Sequence, residues 1–345
     1  MPKTKTARSG SGRAGLPAAA LEGMLYSLKL TRDAERGLRG GNVLSRLAAM
    51  FICAQLSVFA AAVPARAEPS SSSQEATHDQ TPVATLPVLV LDRDLRPVTN
   101  LTQSELELYE GKEEQSIESI SRSPAAPAKI GFLVDISASE AGALRAPKLH
   151  DASGLAAEVL RTGDLAFVAA FARSGSLLSP LTSDFGRIQK ALESAFNTHP
   201  APGGTSLYDA MFWACSEELS KRSGHQALVI FSGMVDTASG HTREEVLAQT
   251  QPLGIVIYPV LLPGASPGGE QTRGERVARL LADGTGGVSF AVQKPENLKE
   301  TLRLIRIYLD NTYIIAYRPK SLGPASVEVR CTRKGVRIIA PDRRY

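Results

Sequence analysis

The sequence predicts an α/β fold: a doubly wound, mainly parallel sheet with helices on both faces, plus a small accessory β unit drawn from the N- and C-terminal flanks. Three observations predict it. Between Lys129 and Leu309, apolar runs of strand length alternate with amphipathic stretches of helix length, the pattern of a parallel sheet covered on both sides. From Thr312 onward the pattern changes to short strands separated by turns. A comparable strand-rich segment, 86–123, comes before the α/β region.

The chain has 345 residues, 43% of them hydrophobic, enough for one large domain with additions or for two domains. Its net charge of +4 is misleading, because residues 1–67 hold ten Lys/Arg and only three Asp/Glu. The remainder carries 29 basic and 32 acidic residues, so nothing indicates a nucleic-acid surface. Within 1–67, Leu47–Val63 is apolar and uncharged, Arg46 precedes it, and Ala65-Arg66-Ala67 fits the small-x-small cleavage rule. These features read as a secretory signal peptide with a long n-region, cut after Ala67, and so as an extracytoplasmic (periplasmic or secreted) protein. A start at Met24 or later, or an uncleaved membrane anchor, are the other readings. Cys215 and Cys331 remain after cleavage; export permits a disulfide, but two buried free thiols are the preferred reading.

Taken in order, residues 68–85 are rich in Ser, Pro, Gln and Thr and read as a linker. Pro87–Asp92 reads as a strand, 93–98 as a turn, and Leu101–Tyr109 and Gln115–Ser121 as further extended segments. The α/β region spans 127–310. Its strands are Lys129–Asp135, Leu165–Ala172, an edge hairpin near Leu177–Leu181, Ala227–Phe231, Ile255–Leu262 and Val288–Ala291. Its helices are 144–160, Phe185–Asn197, Leu207–Leu219, Arg243–Thr250, Glu275–Leu281 and Glu296–Leu309. Crossovers are expected to be right-handed. In 311–345, Thr312–Tyr317, Val327–Thr332 and Val336–Ile339 read as strands expected to pack with 86–123 as one unit.

The chemistry concentrates at Lys129–Ser139, KIGFLVDISAS. A buried parallel strand ending in Asp135, followed by Ser137 and Ser139, places three oxygen donors at its carboxyl end, where open α/β sheets bind ligands. Carboxylate and hydroxyl donors suit Mg²⁺ or Mn²⁺. The other reading is a strand end whose hydroxyls cap the next helix.

Asp135-Ile136-Ser137-Ala138-Ser139 resembles the first loop of a metal-ion-dependent adhesion site, the signature of von Willebrand factor A-type (vWA) domains. Gly203-Gly204-Thr205-Ser206-Leu207-Tyr208-Asp209-Ala210 is similar to the second loop, G-G-T-x-L-Y-D-A. The resemblance makes Thr205 a metal ligand; the alternative is an ordinary N-cap. The third loop of such domains reads roughly T-D-G-x-D-T-A-S. Here it is Ser232-Gly233-Met234-Val235-Asp236-Thr237-Ala238-Ser239, with Gly233 in place of the first acid. That removes a negative charge and leaves Asp135 as the main carboxylate. Asp236 either swings in as a ligand or caps a turn. The flanks resemble the VWFA-related family first described in acidobacteria. Residues 86–122 follow that family's strand–turn–strand order, with Leu95 replacing its turn glycine, and Tyr313–Pro319 match its closing strand loosely.

No enzyme motif emerges. Gly264-Ala265-Ser266-Pro267-Gly268 fits G-x-S-x-G, but the residue after a nucleophilic serine donates an N–H to the oxyanion hole, and Pro267 has none. His78, His150, His199, His225 and His241 stand in no catalytic motif, and no phosphate-binding glycine loop occurs. The resemblance implies a protein-binding module that takes a partner's acidic group through a divalent cation. A metal-independent scaffold with a relic site, and a hydrolase with an unrecognised site, are the alternatives.

Overall fold

The computed structural model describes residues 82–122, 126–140, 153–220, 225–262 and 269–345. The leader, most of the linker, the first part of the helix expected at 144–160 and the Gly264–Gly268 turn lie outside the described residues. Among the described residues no helix is long and apolar enough to cross a membrane.

Strand β5 (Ala128–Asp135) lies inside a six-stranded sheet, between β6 (Leu165–Phe171) and β8 (His225–Phe231). Beyond β8 come β9 (Ile255–Leu261) and β10 (Phe290–Ala291), and beyond β6 comes β7 (Gly175–Thr182). Every pairing is parallel except β6–β7, the expected edge hairpin. The chain leaves β5 toward β6 on one side and later returns to β8 on the other, so the carboxyl end of β5 is a topological switch point.

The side chains of β5 alternate between two cores, as a strand buried on both faces must. Ile130, Phe132 and Val134 join the core beneath α1 (Leu155–Val159), α2 (Phe185–Phe196) and α6 (Leu298–Asp310). Leu133 joins the opposite core, beneath α3 (Leu207–Trp213), α4 (Arg243–Leu253) and α5 (Gly269–Asp283). On that face Gly131 makes room for Phe167, whose Cε1 would lie 2.3 Å from a Cβ there. Helix α3 is shorter than the expected Leu207–Leu219, because Ala214–Glu218 widens into a π-turn closed by Leu219 N–H to Ala214 C=O at 3.0 Å. An ion network underlies the start of β5. Asp164 Oδ1 accepts from Ala128 N–H at 2.7 Å, its Oδ2 pairs with Arg306, and Arg306 Nε lies 2.9 Å from Asp310 Oδ1. All three side chains are buried.

The flanks interleave, as expected, but in two sheets. One has the order β13–β1–β11–β4, from Arg337–Ile339, Ala84–Leu91, Tyr313–Tyr317 and Ile117–Ser121; the other has β14–β12–β2–β3, from Arg343–Arg344, Ala325–Cys331, Leu106–Glu110 and Glu113–Gln115. Together they enclose one apolar core that includes Val88, Leu108, Ile315, Tyr317 and Val329. Two expected strands are shorter. Thr102 N–H donates to Glu105 Oε2 at 2.9 Å, which turns Gln103–Glu105 into a 3₁₀ segment, so the strand begins at Leu106. The Gln115–Ser121 run breaks at Ser116, and its halves enter different sheets. Leu95, where the resembling family has glycine, has φ +61°; the turn demands the left-handed conformation whichever residue occupies it. Among the described residues both cysteines, Cys215 and Cys331, are free. Cys215 is buried, which pushes its thiol up to about 12, whereas Cys331 is only half-buried.

Candidate metal centre

Three loops meet at the carboxyl end of β5, and hydrogen bonds tie each to the others. The first and second are joined by Ala201 N–H donating to Ile136 C=O at 2.7 Å, beside a parallel bridge between Ser137 and Ala201. The second and third are joined at Thr205, whose carbonyl accepts from Thr237 N–H at 2.9 Å and Ala238 N–H at 3.1 Å. In return, Thr205 N–H donates to Thr237 Oγ1 at 2.8 Å. The first and third are joined by Ser232 Oγ–H, which donates to Asp135 Oδ2 at 2.6 Å.

The glycines of the second loop are conformational requirements. Gly203 and Gly204 have φ +106° and +94°, a region costly for any side chain. A Cβ on Gly204 would also lie 2.9 Å from Thr237 Oγ1.

Asp135 ends β5 and is buried, its Oδ1 accepting from Ser137 N–H at 2.9 Å. The carboxylate is thus enclosed by its neighbours, where the sequence alone suggests a side chain open to the cleft. Burial raises its pKa, while the hydrogen bonds from Ser232 and Ser137 oppose the rise. Ser137 Oγ is 2.9 Å from Ser139 Oγ; Ser137 is buried and Ser139 exposed. These three residues therefore form one cluster, and Thr205, also buried, stands in the loop bridged to it.

Asp236 is engaged elsewhere. Its Oδ1 accepts from Leu207 N–H at 2.9 Å, in the first turn of α3, and from Ser239 Oγ–H at 2.5 Å. It clasps the second loop to the third by capping a helix from a distance. Asp209, within the L-Y-D-A run, clasps them a second time: its Oδ1 accepts from His241 N–H at 2.9 Å and Gly240 N–H at 3.0 Å. Burial alone would raise the Asp209 pKa, but these N–H groups and the His241 ring hold it below the usual range.

The sequence reading misses Glu140. It follows Ser139 directly, in the short 3₁₀ turn Ala138–Glu140, and is only 1% exposed. Its Oε1 accepts from Gly233 N–H at 2.9 Å, while its Oε2 is buried without a hydrogen-bond partner among the described residues. Burial pushes its pKa up to about 8; the Asp135 charge adds to the rise and the Gly233 N–H opposes it. The signal that could have found it is an acid next to the first loop in a chain whose third loop lacks one.

No known protein family matches the sequence, and no curated protein matches it either. Solved structures do match. A von Willebrand factor type A protein from Catenulispora acidiphila is 11% identical with a TM-score of 0.44, over 77% of this chain and 74% of that one. An aerotolerance-related membrane protein from Bacteroides fragilis is 16% identical with a TM-score of 0.40, over 52% and 98%. Proximal thread matrix protein 1 of the mussel byssus, with a zinc-occupied MIDAS motif, is 15% identical with a TM-score of 0.41, over 58% and 49%. The likeness is one of fold. It assigns no role to any residue of this chain.

The donor set itself can be tested against a cation. Among the described residues no three His, Cys, Asp or Glu side chains form a metal-holding group. Asp135, Ser137, Ser139 and the orphaned Glu140 Oε2 are instead hard oxygen donors, the kind that Mg²⁺ and Mn²⁺ take together with water.

Proposed function

We propose that this chain is an exported protein-binding module, not an enzyme. On this reading Asp135, Ser137, Ser139 and Thr205 hold a divalent cation, Mg²⁺ or Mn²⁺, and an acidic group of a partner protein completes its coordination. The observation that carries the reading is the convergence of three cross-tied loops on Asp135 at the switch point of the sheet. Hydroxyls and waters leave a bound cation electrophilic, so it would supply an open coordination position to a partner's carboxylate. The residues of the chain do the positioning. Ser232 and Ser137 orient the Asp135 carboxylate, Asp236 and Asp209 hold the second loop against the third, and Gly203 and Gly204 permit the backbone turn that presents Thr205.

A second reading has its own support. Both Asp135 oxygens already accept hydrogen bonds within the protein, as they would in a metal-independent scaffold that keeps the loops as a relic. Thermal denaturation in Mn²⁺ separates the two. A cation at about 100 times its dissociation constant adds about 2.7 kcal/mol, so the melting temperature of the metal-binding module rises and Asp135→Asn abolishes the rise. Partner capture that needs Mn²⁺ and is lost in EDTA then supports the adhesion role. No rise in the parent protein sinks the cation reading and leaves the scaffold. Export is tested separately: N-terminal sequencing of the exported protein should begin near Glu68.

A further inference from the structure

We propose that Glu140 is the second carboxylate of the cation site, supplying from the first loop the charge that the third loop lacks at Gly233. The inference rests on the cation reading above. Its first support is position: Glu140 directly follows Ser139 in the turn Ala138–Glu140, and its partner Gly233 adjoins Ser232, whose Oγ–H donates to Asp135 Oδ2 at 2.6 Å. Its second is the contact with the deviant residue, the hydrogen bond from Gly233 N–H to Glu140 Oε1 at 2.9 Å. Gly233 is held from its other end by α5, where Gly274 lets the helix approach so closely that a Cβ there would lie 2.0 Å from the Gly233 carbonyl. The third-loop backbone is thereby fixed as a platform for Glu140.

The third support is the orphaned oxygen. Among the described residues Glu140 Oε2 is buried with no hydrogen-bond partner, in a residue 1% exposed. A buried polar oxygen without a partner is costly and uncommon in native proteins. Two carboxylates enclosed together are costlier still unless a positive charge lies between them. A divalent cation beside Asp135 and Glu140 balances two negative charges and gives Oε2 a partner. The hydroxyls of Ser137 and Ser139, with water, complete a hard-oxygen shell. The acid has moved from the third loop to the end of the first, and the site keeps its charge.

Calorimetric titration of the full chain with Mn²⁺ tests this in four proteins: the parent, Asp135→Asn, Glu140→Gln, and Glu140→Gln combined with Gly233→Asp. Glu140→Gln keeps the shape and removes a buried charge, so it should fold at least as well as the parent. The proposal expects it to bind Mn²⁺ about tenfold to a hundredfold more weakly, the effect of one carboxylate at roughly 5 Å after most of its attraction is lost to hydration. Restoring an acid at position 233 should recover part of that loss. Glu140→Gln binding as tightly as the parent, while Asp135→Asn binds nothing, overturns the role of Glu140 and leaves the cation reading standing. A parent that binds no Mn²⁺ overturns both. Should Glu140→Gln fail to fold, Glu140→Asp replaces it: the proposal then expects weakened but measurable binding, and unaltered binding overturns it.

Discussion

The two adjacent glycines of the second loop offer an internally controlled test of how the site is built. Both have φ near +100°, so an alanine at either position pays the left-handed penalty of about 1–2 kcal/mol. Their surroundings differ. A Cβ on Gly203 would meet the flexible Arg173 side chain at 3.3 Å, which can swing away. A Cβ on Gly204 would lie 2.9 Å from Thr237 Oγ1 and 3.4 Å from the Ala238 Cβ. Thr237 Oγ1 accepts from Thr205 N–H at 2.8 Å, so Gly204→Ala also strains or breaks a tie between the second and third loops. That hydrogen bond is worth about 1 kcal/mol, and the crowding adds up to about 1 more. Gly203→Ala should therefore cost about 1–2 kcal/mol and Gly204→Ala about 2–4. At about 2–4 °C per kcal/mol for a chain of this size class, Gly204→Ala should melt clearly below Gly203→Ala in differential scanning calorimetry. Mn²⁺ affinity should fall with it, because Thr205 moves. Equal melting temperatures would refute the reasoning and mean that the Thr205–Thr237 tie adds nothing to the loop.

Three further outcomes are expected. Arg306→Met leaves Asp164 and Asp310 buried without their shared partner and should destabilise by about 3–5 kcal/mol in urea denaturation; a loss under 1 kcal/mol would mean that water replaces the arginine. Asp236→Ala removes a helix cap and one of two clasps between the second and third loops, and should cost about 1 kcal/mol and weaken Mn²⁺ binding by less than about tenfold, the step that 1.4 kcal/mol represents, because Asp209 still holds the loops together; loss of Mn²⁺ binding at unchanged stability would make Asp236 a ligand. Leu95→Gly relieves a left-handed, exposed leucine and should raise stability by about 0.5–1 kcal/mol, the strain removed less the entropy that glycine adds to the unfolded chain; a lower melting temperature would show that the leucine side chain stabilises the turn.

The alternation of apolar strands with amphipathic helices by itself determined the parallel sheet, because burial on both faces forces continuous apolar runs such as Phe132-Leu133-Val134 and Leu228-Val229-Ile230. The end of β5 at Asp135 and the turn at Gly203-Gly204 were equally legible, since local chain conformation is written in local residues. The partners of Asp236 and Glu140 were not. Asp236 meets Leu207, 29 residues away, and an acid after Asp-x-Ser-x-Ser could as readily have faced solvent. It is buried because its 3₁₀ turn faces the Gly233 backbone, which the close approach of α5 at Gly274 fixes in place. Which sheet each flanking strand joins was decided in the same way, by a break at Ser116 that no periodicity records. Periodicity reports which face of an element is covered. Which donor meets which acceptor across loops depends on where packing brings distant backbones together, and only the tertiary structure sets that.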